Sequence, residues 1–397
     1  MMRIAYCTIA SADDLSRVQV LEQSLRRYHP GVEFHILLCE WPEVCKKVAA
    51  SAGRQFLSPA DIGCADWLSM AFYYDITEYN TALKPFLLET LLTQGYEAVI
   101  YLDPDIEVYG NLDDLPRLLR KYDAILTPHV CQPVPDDGKK PTMDQYIRAG
   151  QFNLGFIGIS GSPEVRELLH WWQCVLVDRC LSDENSRFFV DQFWAAAIPS
   201  LLEKTFILRD PAYNMAYWNV FQRKLDYADG KWITDGGELK FFHFSGLSRD
   251  NLSQVSVHQN RVTAPVGSPL HKFLTQYFEK IQRQEWASFN DHIYSFARYN
   301  NGEPITNDER KAFLSMRRAE RDGVGNPFDA NGLPKNIVRI QCKPTLERNN
   351  DMSSKRVNLL NRRVEELEKL NAAMLTSLSW RVTAPLRRLH TLVTGRK

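Results

Sequence analysis

The string Val99-Ile100-Tyr101-Leu102-Asp103-Pro104-Asp105-Ile106-Glu107-Val108 carries the plainest chemistry in the chain. Its apolar run predicts a buried strand, and two carboxylates one residue apart follow at the C-terminal end. Alternate residues across a turn can point the same way, so Asp103 and Asp105 can converge on a hard divalent cation, Mg²⁺ or Mn²⁺. Diphosphate oxygens and water would complete the coordination shell. In open α/β sheets that strand end is where ligands bind. Two solvated aspartates in a turn would read the same way.

The elements that must position this pair alternate along the chain. Arg3 to Ile9 predicts a strand, Leu15, Val18, Leu21 and Leu25 a helix, and Phe34 to Cys39 a second strand. A helix around Thr81–Thr93 precedes the strand Ala98–Leu102. A helix near Leu112–Tyr122, the strand Asp123–Thr127 and the strand Asn153–Ser160 follow. Ser162-Pro163-Glu164 is a helix start with serine as N-cap, and Lys240–Phe244 predicts one more strand. Strand–helix–strand alternation means an α/β fold for about the first 265 residues. Beyond that the alternation stops. Phe273, Tyr277, Trp286, Phe289 and Tyr294 must pack on something, and no function is legible there.

Composition excludes some classes. Forty-eight Lys+Arg balance forty-eight Asp+Glu across 397 residues, which disfavours a nucleic-acid binder. No apolar run approaches the roughly 18 residues of a membrane span, and the N-terminal stretch is not leader-like, so a cytoplasmic protein is expected. The eight cysteines form no C-x-x-C pair and suit neither a disulfide framework nor a zinc site. Gly155, Gly158 and Gly161 have the wrong spacing for a dinucleotide fingerprint.

Tyr101–Leu115 (YLDPDIEVYGNLDDL), Phe152–Gly155 (FNLG), Asp191-Gln192 and His243–Arg249 (HFSGLSR) occur in that order. Together they resemble the GT-A fold glycosyltransferases, most of all the retaining family 8 type, over about residues 1–250. That family shows a strand ending in Asp-x-Asp, an Asn-x-Gly strand, Asp-Gln, and His-x-x-Gly-x-x-Lys. The resemblance implies a Rossmann-like, mostly parallel sheet flanked by helices, with a C-terminal helical extension. It implies Asp103, Asp105 and His243 as metal ligands, favouring Mn²⁺ over Mg²⁺ because imidazole suits it better. It also places Asp103 near the nucleotide ribose. Arg249 stands where the family has lysine and would bind the diphosphate, although Asp250-Asn251 replaces the Pro-Trp that normally follows. Asn153, Asp191 and Gln192 match donor-sugar and reaction-centre positions. Thr8, Ala10 and Ser11 end the first strand, where the family holds the nucleoside; Thr81 and Lys84 precede the Asp-x-Asp strand at the distance of a basic donor contact. Without the resemblance, His243 reads as a core histidine between two phenylalanines, and Asn153 and Asp191 as capping or turn residues. The aromatic cluster Tyr213–Asn219 could stack on sugar rings or serve as core.

The implied reaction is transfer of a hexose from a nucleotide-diphosphate sugar, a UDP-sugar by preference, to a glycan or lipid-linked acceptor. Retention is implied, in bacterial surface-polysaccharide or lipopolysaccharide assembly. Two other readings stay open: a silent glycan-binding scaffold, and a haloacid-dehalogenase-type phosphatase with Asp103 as nucleophile and Asp105 as acid/base. Against the second, Glu107 stands where Thr or Val is usual, and the strand lies far from the N-terminus.

The expected organisation is a catalytic domain over 1–265, a helical or irregular accessory region over 266–350, a short coiled-coil helix over 351–378 and a basic tail over 379–397. Val357, Leu360, Val364, Leu367, Asn371, Met374 and Leu378 form a heptad seam that could pair two copies over 357–378. The tail joins Trp380 to five Lys/Arg and no acid, a composition suited to an anionic membrane surface. Peripheral residence on the inner face of the plasma membrane is therefore expected.

Overall fold

A computed structural model describes residues 2–182 and 189–332; residues 333–350, the heptad segment and the basic tail lie outside the described residues. The strands of the described part are, in chain order, β1 (Ile4–Ala10), β2 (Glu33–Leu38), β3 (Ala98–Leu102), β4 (Ile106–Val108), β5 (Ala124–Pro128), β6 (Phe152–Ser160), β7 (Thr205–Ile207), β8 (Met215–Ala216), β9 (Asp226–Ala228), β10 (Lys231–Thr234), β11 (Gly237–Glu238) and β12 (Phe241–His243). The main sheet has the order β2-β1-β3-β6-β5-β7. β1 is parallel to β2 and β3, and β5 to β7, whereas β6 is antiparallel to both β3 and β5. The fold is α/β with a mostly parallel sheet between helices, as the strand–helix alternation predicts.

Both faces of the sheet are covered, which is why its strands read as unbroken apolar runs. Side chains alternate between two cores with period two. β1 sends Cys7 and Ile9 one way and Tyr6 and Ala10 the other, and β3 likewise separates Val99 and Tyr101 from Ile100 and Leu102. The helix Leu15–Tyr28 covers the second face with Leu15, Val18, Leu21 and Leu25, the residues whose spacing predicts it. The helices Lys84–Thr93 and Pro163–Arg179 cover the first. Ser162 caps the latter, its Oγ accepting from the Val165 amide at 3.3 Å. The buried cysteines Cys7, Cys39, Cys45, Cys64 and Cys180 are free thiols packed as small hydrophobes.

Three elements differ from expectation. The single helix predicted over 81–93 is two, Ile76–Ala82 and Lys84–Thr93, broken at Leu83. Pro85 lacks an amide hydrogen and cannot extend the first helix, yet suits the first turn of the second. A reciprocal cap opens the first helix: the Glu78 amide donates to Asp75 Oδ1 at 2.8 Å, and the Asp75 amide to Glu78 Oε2 at 3.1 Å. The helix predicted over 112–122 is shorter, Asp114–Leu119. The strand near 240–244 is β12, which joins a small separate sheet of order β4-β12-β8.

Residues Met1–Gly332 form one compact unit. The helix Pro269–Gln282 buries Phe273, Leu274, Tyr277 and Ile281, and Phe273 and Leu274 contribute about 1.5–3 kcal/mol each by leaving water. Tyr277 stacks on Phe244 with centroids 3.6 Å apart. Trp286 meets Phe56 at 5.9 Å. Buried Arg310 donates to the carbonyls of Tyr74 and Phe296, each at 2.7 Å. Among the described residues no helix is long and apolar enough to cross a membrane.

Candidate active site

Because β6 runs against its neighbours, its amino end meets the carboxyl ends of β1, β3 and β5 on one edge of the sheet. A cleft of ≈ 630 Å³ opens there. The connection between β3 and β4 is Asp103-Pro104-Asp105, and the backbone holds it from both sides. The Asp103 amide donates to the Gly155 carbonyl at 2.8 Å and the Phe244 amide to the Asp105 carbonyl at 2.9 Å. β12 pairs with β4 so that His243 lies opposite Ile106. This register brings His243 Nε2 to 2.9 Å from Asp105 Oδ1 and 3.6 Å from Asp103 Oδ2. Tyr101 Oη donates to Asp103 Oδ1 at 2.6 Å, leaving the other oxygen to face the imidazole.

One ligand atom from each of these three side chains lies within 4.8 Å of the others. Octahedral ligands on bonds of about 2.1 Å sit about 3 Å apart. The 2.9 Å Nε2–Oδ1 separation matches that edge, so two hard carboxylates and one imidazole fit a divalent cation. Burial disfavours charge on the His243 imidazole, but the facing Asp105 and Asp103 carboxylates overcome it and hold its pKa above the ordinary value. Burial also works against the Asp105 carboxylate, and His243 outweighs it, keeping that pKa low. A cation must displace the imidazole proton. Mn²⁺ affinity is therefore expected to fall as pH drops through the raised His243 value. Calorimetry in buffers of different ionisation enthalpy should find more than half a proton released per ion at a pH of about 6.5, the ordinary imidazole value. Binding without proton release would contradict the ligand role.

Gly155 makes room for this arrangement. A Cβ there would lie 2.3 Å from His243 Cε1 and 2.5 Å from Nδ1. Gly155→Ala is expected to displace the ring and weaken Mn²⁺ binding by at least about tenfold while β6 still forms, since the strand itself tolerates a methyl group. Isothermal titration together with far-UV circular dichroism checks both halves.

A second polar group lies across the cleft. Lys84 Nζ, 1% exposed, donates to Asp191 Oδ2 at 2.5 Å and to the Leu154 carbonyl at 2.8 Å, and sits 4.4 Å from the Tyr101 ring centroid. Burial pushes the Asp191 carboxyl up and the Lys84 ammonium pulls against it. Val190, just before Asp191, has φ +43°, a strained conformation for a β-branched residue. Gln192 follows, and Gly150 is obligatory beside it: its φ is +109° and a Cβ would lie 2.6 Å from the Gln192 carbonyl oxygen. Asn153 Oδ1 accepts from the Gly155 amide at 3.1 Å and from Asn214 Nδ2 at 3.0 Å. Burial lowers His129 to about 4, so its imidazole is neutral. Nδ1 then donates to the Gly150 carbonyl at 2.8 Å. Trp218 stands edge-on to His243, with ring centroids 5.0 Å apart.

Of the residues singled out by sequence, Thr81, Lys84, Asp103, Asp105, Asn153, Asp191, Gln192 and His243 line this one cleft. Thr8, Ala10 and Ser11 are fully buried beneath it, and from that strand end Ile9 reaches the surface of the cleft. Arg249 is exposed and lies outside the lining. Of the Tyr213–Asn219 cluster, Tyr213, Met215 and Ala216 are buried, while Tyr217 and Trp218 line the cleft. Sequence reasoning missed Arg17, which pairs with Asp14 and lines the cleft beside the Asp103–Asp105 turn. The Asp-x-x-Arg spacing at a helix start was the available signal. It missed His129 too, placed directly after a buried strand.

No family model matches the chain. It is 24% identical over 277 residues to a Bacillus subtilis (strain 168) protein named uncharacterized protein YfnF, covering 66% of this chain and 88% of that one. A second protein of that organism, uncharacterized protein YfnD, is 25% identical over 174 residues, spanning 43% and 54% of the two chains. Among solved structures, the chain is similar to the apo-form glycosyltransferase GlyE of Streptococcus pneumoniae TIGR4, at 14% identity and a TM-score of 0.42. That match covers 73% of this chain and 62% of GlyE, less than two thirds of its length. LgtC, a galactosyltransferase solved with donor and acceptor sugar analogues, matches at 14% identity and a TM-score of 0.42, over 72% of this chain and 99% of LgtC.

Proposed function

We propose that this chain is a metal-dependent glycosyltransferase of the GT-A kind, moving a hexose from a nucleotide-diphosphate sugar to a hydroxyl of a glycan acceptor. One observation carries the reading: the Asp103–Asp105–His243 donor set, the buried Lys84–Asp191 pair and Asn153 converge on one cleft at the carboxyl edge of the sheet. A divalent cation, Mn²⁺ by preference, would be held by Asp103, Asp105 and His243 and would supply Lewis-acid charge to a leaving diphosphate. Arg17 and Arg148 line the cleft and offer guanidinium groups to anionic donor oxygens. Lys84 is committed to Asp191 and the Leu154 carbonyl, so it fixes the carboxylate rather than reaching for phosphate. Asp191 and Gln192 face the space where the donor sugar would lie and steady an oxocarbenium-like centre, with Asn153 orienting the sugar. The reaction proceeds with retention, and the donor is a UDP-sugar.

The acceptor belongs to a bacterial surface polysaccharide and is lipid-linked, with 379–397 meeting an anionic membrane on the cytoplasmic side and 357–378 pairing two copies. The test is nucleotide release from UDP-, GDP-, dTDP- and CDP-sugars with Mn²⁺. One donor is expected to be hydrolysed slowly, and chelation to stop it. No release from any donor, together with no donor-induced thermal shift, would overturn the reading in favour of a silent glycan binder.

A further inference from the structure

A second groove of ≈ 720 Å³ lies between the helix Leu15–Tyr28, β4, the β9–β10 hairpin and the helix Pro269–Gln282. It shares no lining residue with the cleft. Glu107, two residues beyond Asp105, forms its floor. That carboxylate is 4% exposed, pairs with Lys280 and accepts from Tyr109 Oη at 2.8 Å. The Lys280 ammonium also lies 5.5 Å from the Tyr109 ring centroid. Tyr227 forms the wall, 54% exposed, tilted against Trp232 with centroids 4.9 Å apart. The Lys280 side chain is 43% exposed against 6% for Glu107, so the pair presents its ammonium to the groove. The exposed Tyr227 ring stands beside it.

The chemistry of the lining selects a ligand class. Three basic and three acidic side chains line the groove, together with three glutamines and four aromatic rings. Balanced charge gives no net attraction for a bare anion, and the polar density is wrong for an acyl chain. Rings suit the C–H face of a pyranose, while carboxylate, ammonium and amide groups suit its hydroxyls. We infer that this groove is a second saccharide site, which holds a neutral stretch of glycan apart from the cleft. The inference does not rest on the transferase reading, since binding there needs neither metal nor donor.

The test uses the full chain and three neutral probes: maltotriose, cellotriose and chitotriose. Saturation-transfer NMR and tryptophan fluorescence are expected to detect at least one of them. Tyr227→Ala, at a position 54% exposed, should weaken that binding roughly tenfold. Glu107→Gln should weaken it as well, and Asp105→Ala should leave it unchanged. Silence from all three probes would overturn the inference, as would binding indifferent to Tyr227→Ala. Loss of binding in Asp105→Ala, or displacement by inorganic phosphate, would assign the sugar to the cleft or the groove to anions, and either result overturns it.

Discussion

Asp105→Ala is expected to lower metal-dependent release of nucleotide from the donor by roughly three orders of magnitude or more. The Lewis-acid contribution of a bound cation is typically several kcal/mol, and each 1.4 kcal/mol or so is a factor of ten in rate. Asp105 supplies the oxygen nearest to His243, at 2.9 Å, so its loss removes a carboxylate from the candidate donor set and leaves the imidazole facing Asp103, at 3.6 Å. Asp105→Asn keeps the shape and removes the charge, and it should be nearly as inactive. Neither variant should unfold the chain, because the backbone bond from the Phe244 amide to the Asp105 carbonyl, at 2.9 Å, does not involve the side chain. A denaturation midpoint close to wild type is the control. Nucleotide release that persists in Asp105→Ala would remove this metal site from the mechanism.

The second large effect concerns Lys84 and Asp191, whose side chains are 1% and 2% exposed. Removing one partner of a buried ion pair strands the other charge in a low-dielectric setting, at a cost of about 3–5 kcal/mol. Lys84→Met should therefore destabilise the protein by about that amount, read as a lower urea midpoint at unchanged slope. Combining it with Asp191→Leu should restore much of the stability, since apolar replacement of a whole buried pair is often neutral or favourable. Activity should be absent in the double variant if Asp191, which lines the cleft, steadies the reaction centre as proposed. If Lys84→Met alone were as stable as wild type, the pair would not be what holds this side of the cleft. If the double variant were active, Asp191 would have no part in turnover.

By itself the sequence determined the α/β class, the strands β1, β2, β3, β5 and β6, and the presence of a carboxylate pair at a strand end. These features are local. A strand buried on both faces reads as an apolar run, and Asp-x-Asp after such a run needs no distant residue to be noticed. His243 was legible through its spacing to Gly246 and Arg249 rather than through its own surroundings. Only the tertiary structure decided that β12 pairs with β4, and so that His243 Nε2 meets Asp105. It alone joined Lys84 to Asp191, 107 positions apart, and committed the ammonium to that carboxylate and the Leu154 carbonyl. It brought Arg17 into the cleft, left Arg249 outside, and seated Tyr277 of the unassigned region on Phe244. The physical reason is common to all of these. Periodicity records which face of an element is buried, whereas a site depends on which buried faces meet, and distant strand pairing and side-chain packing set that.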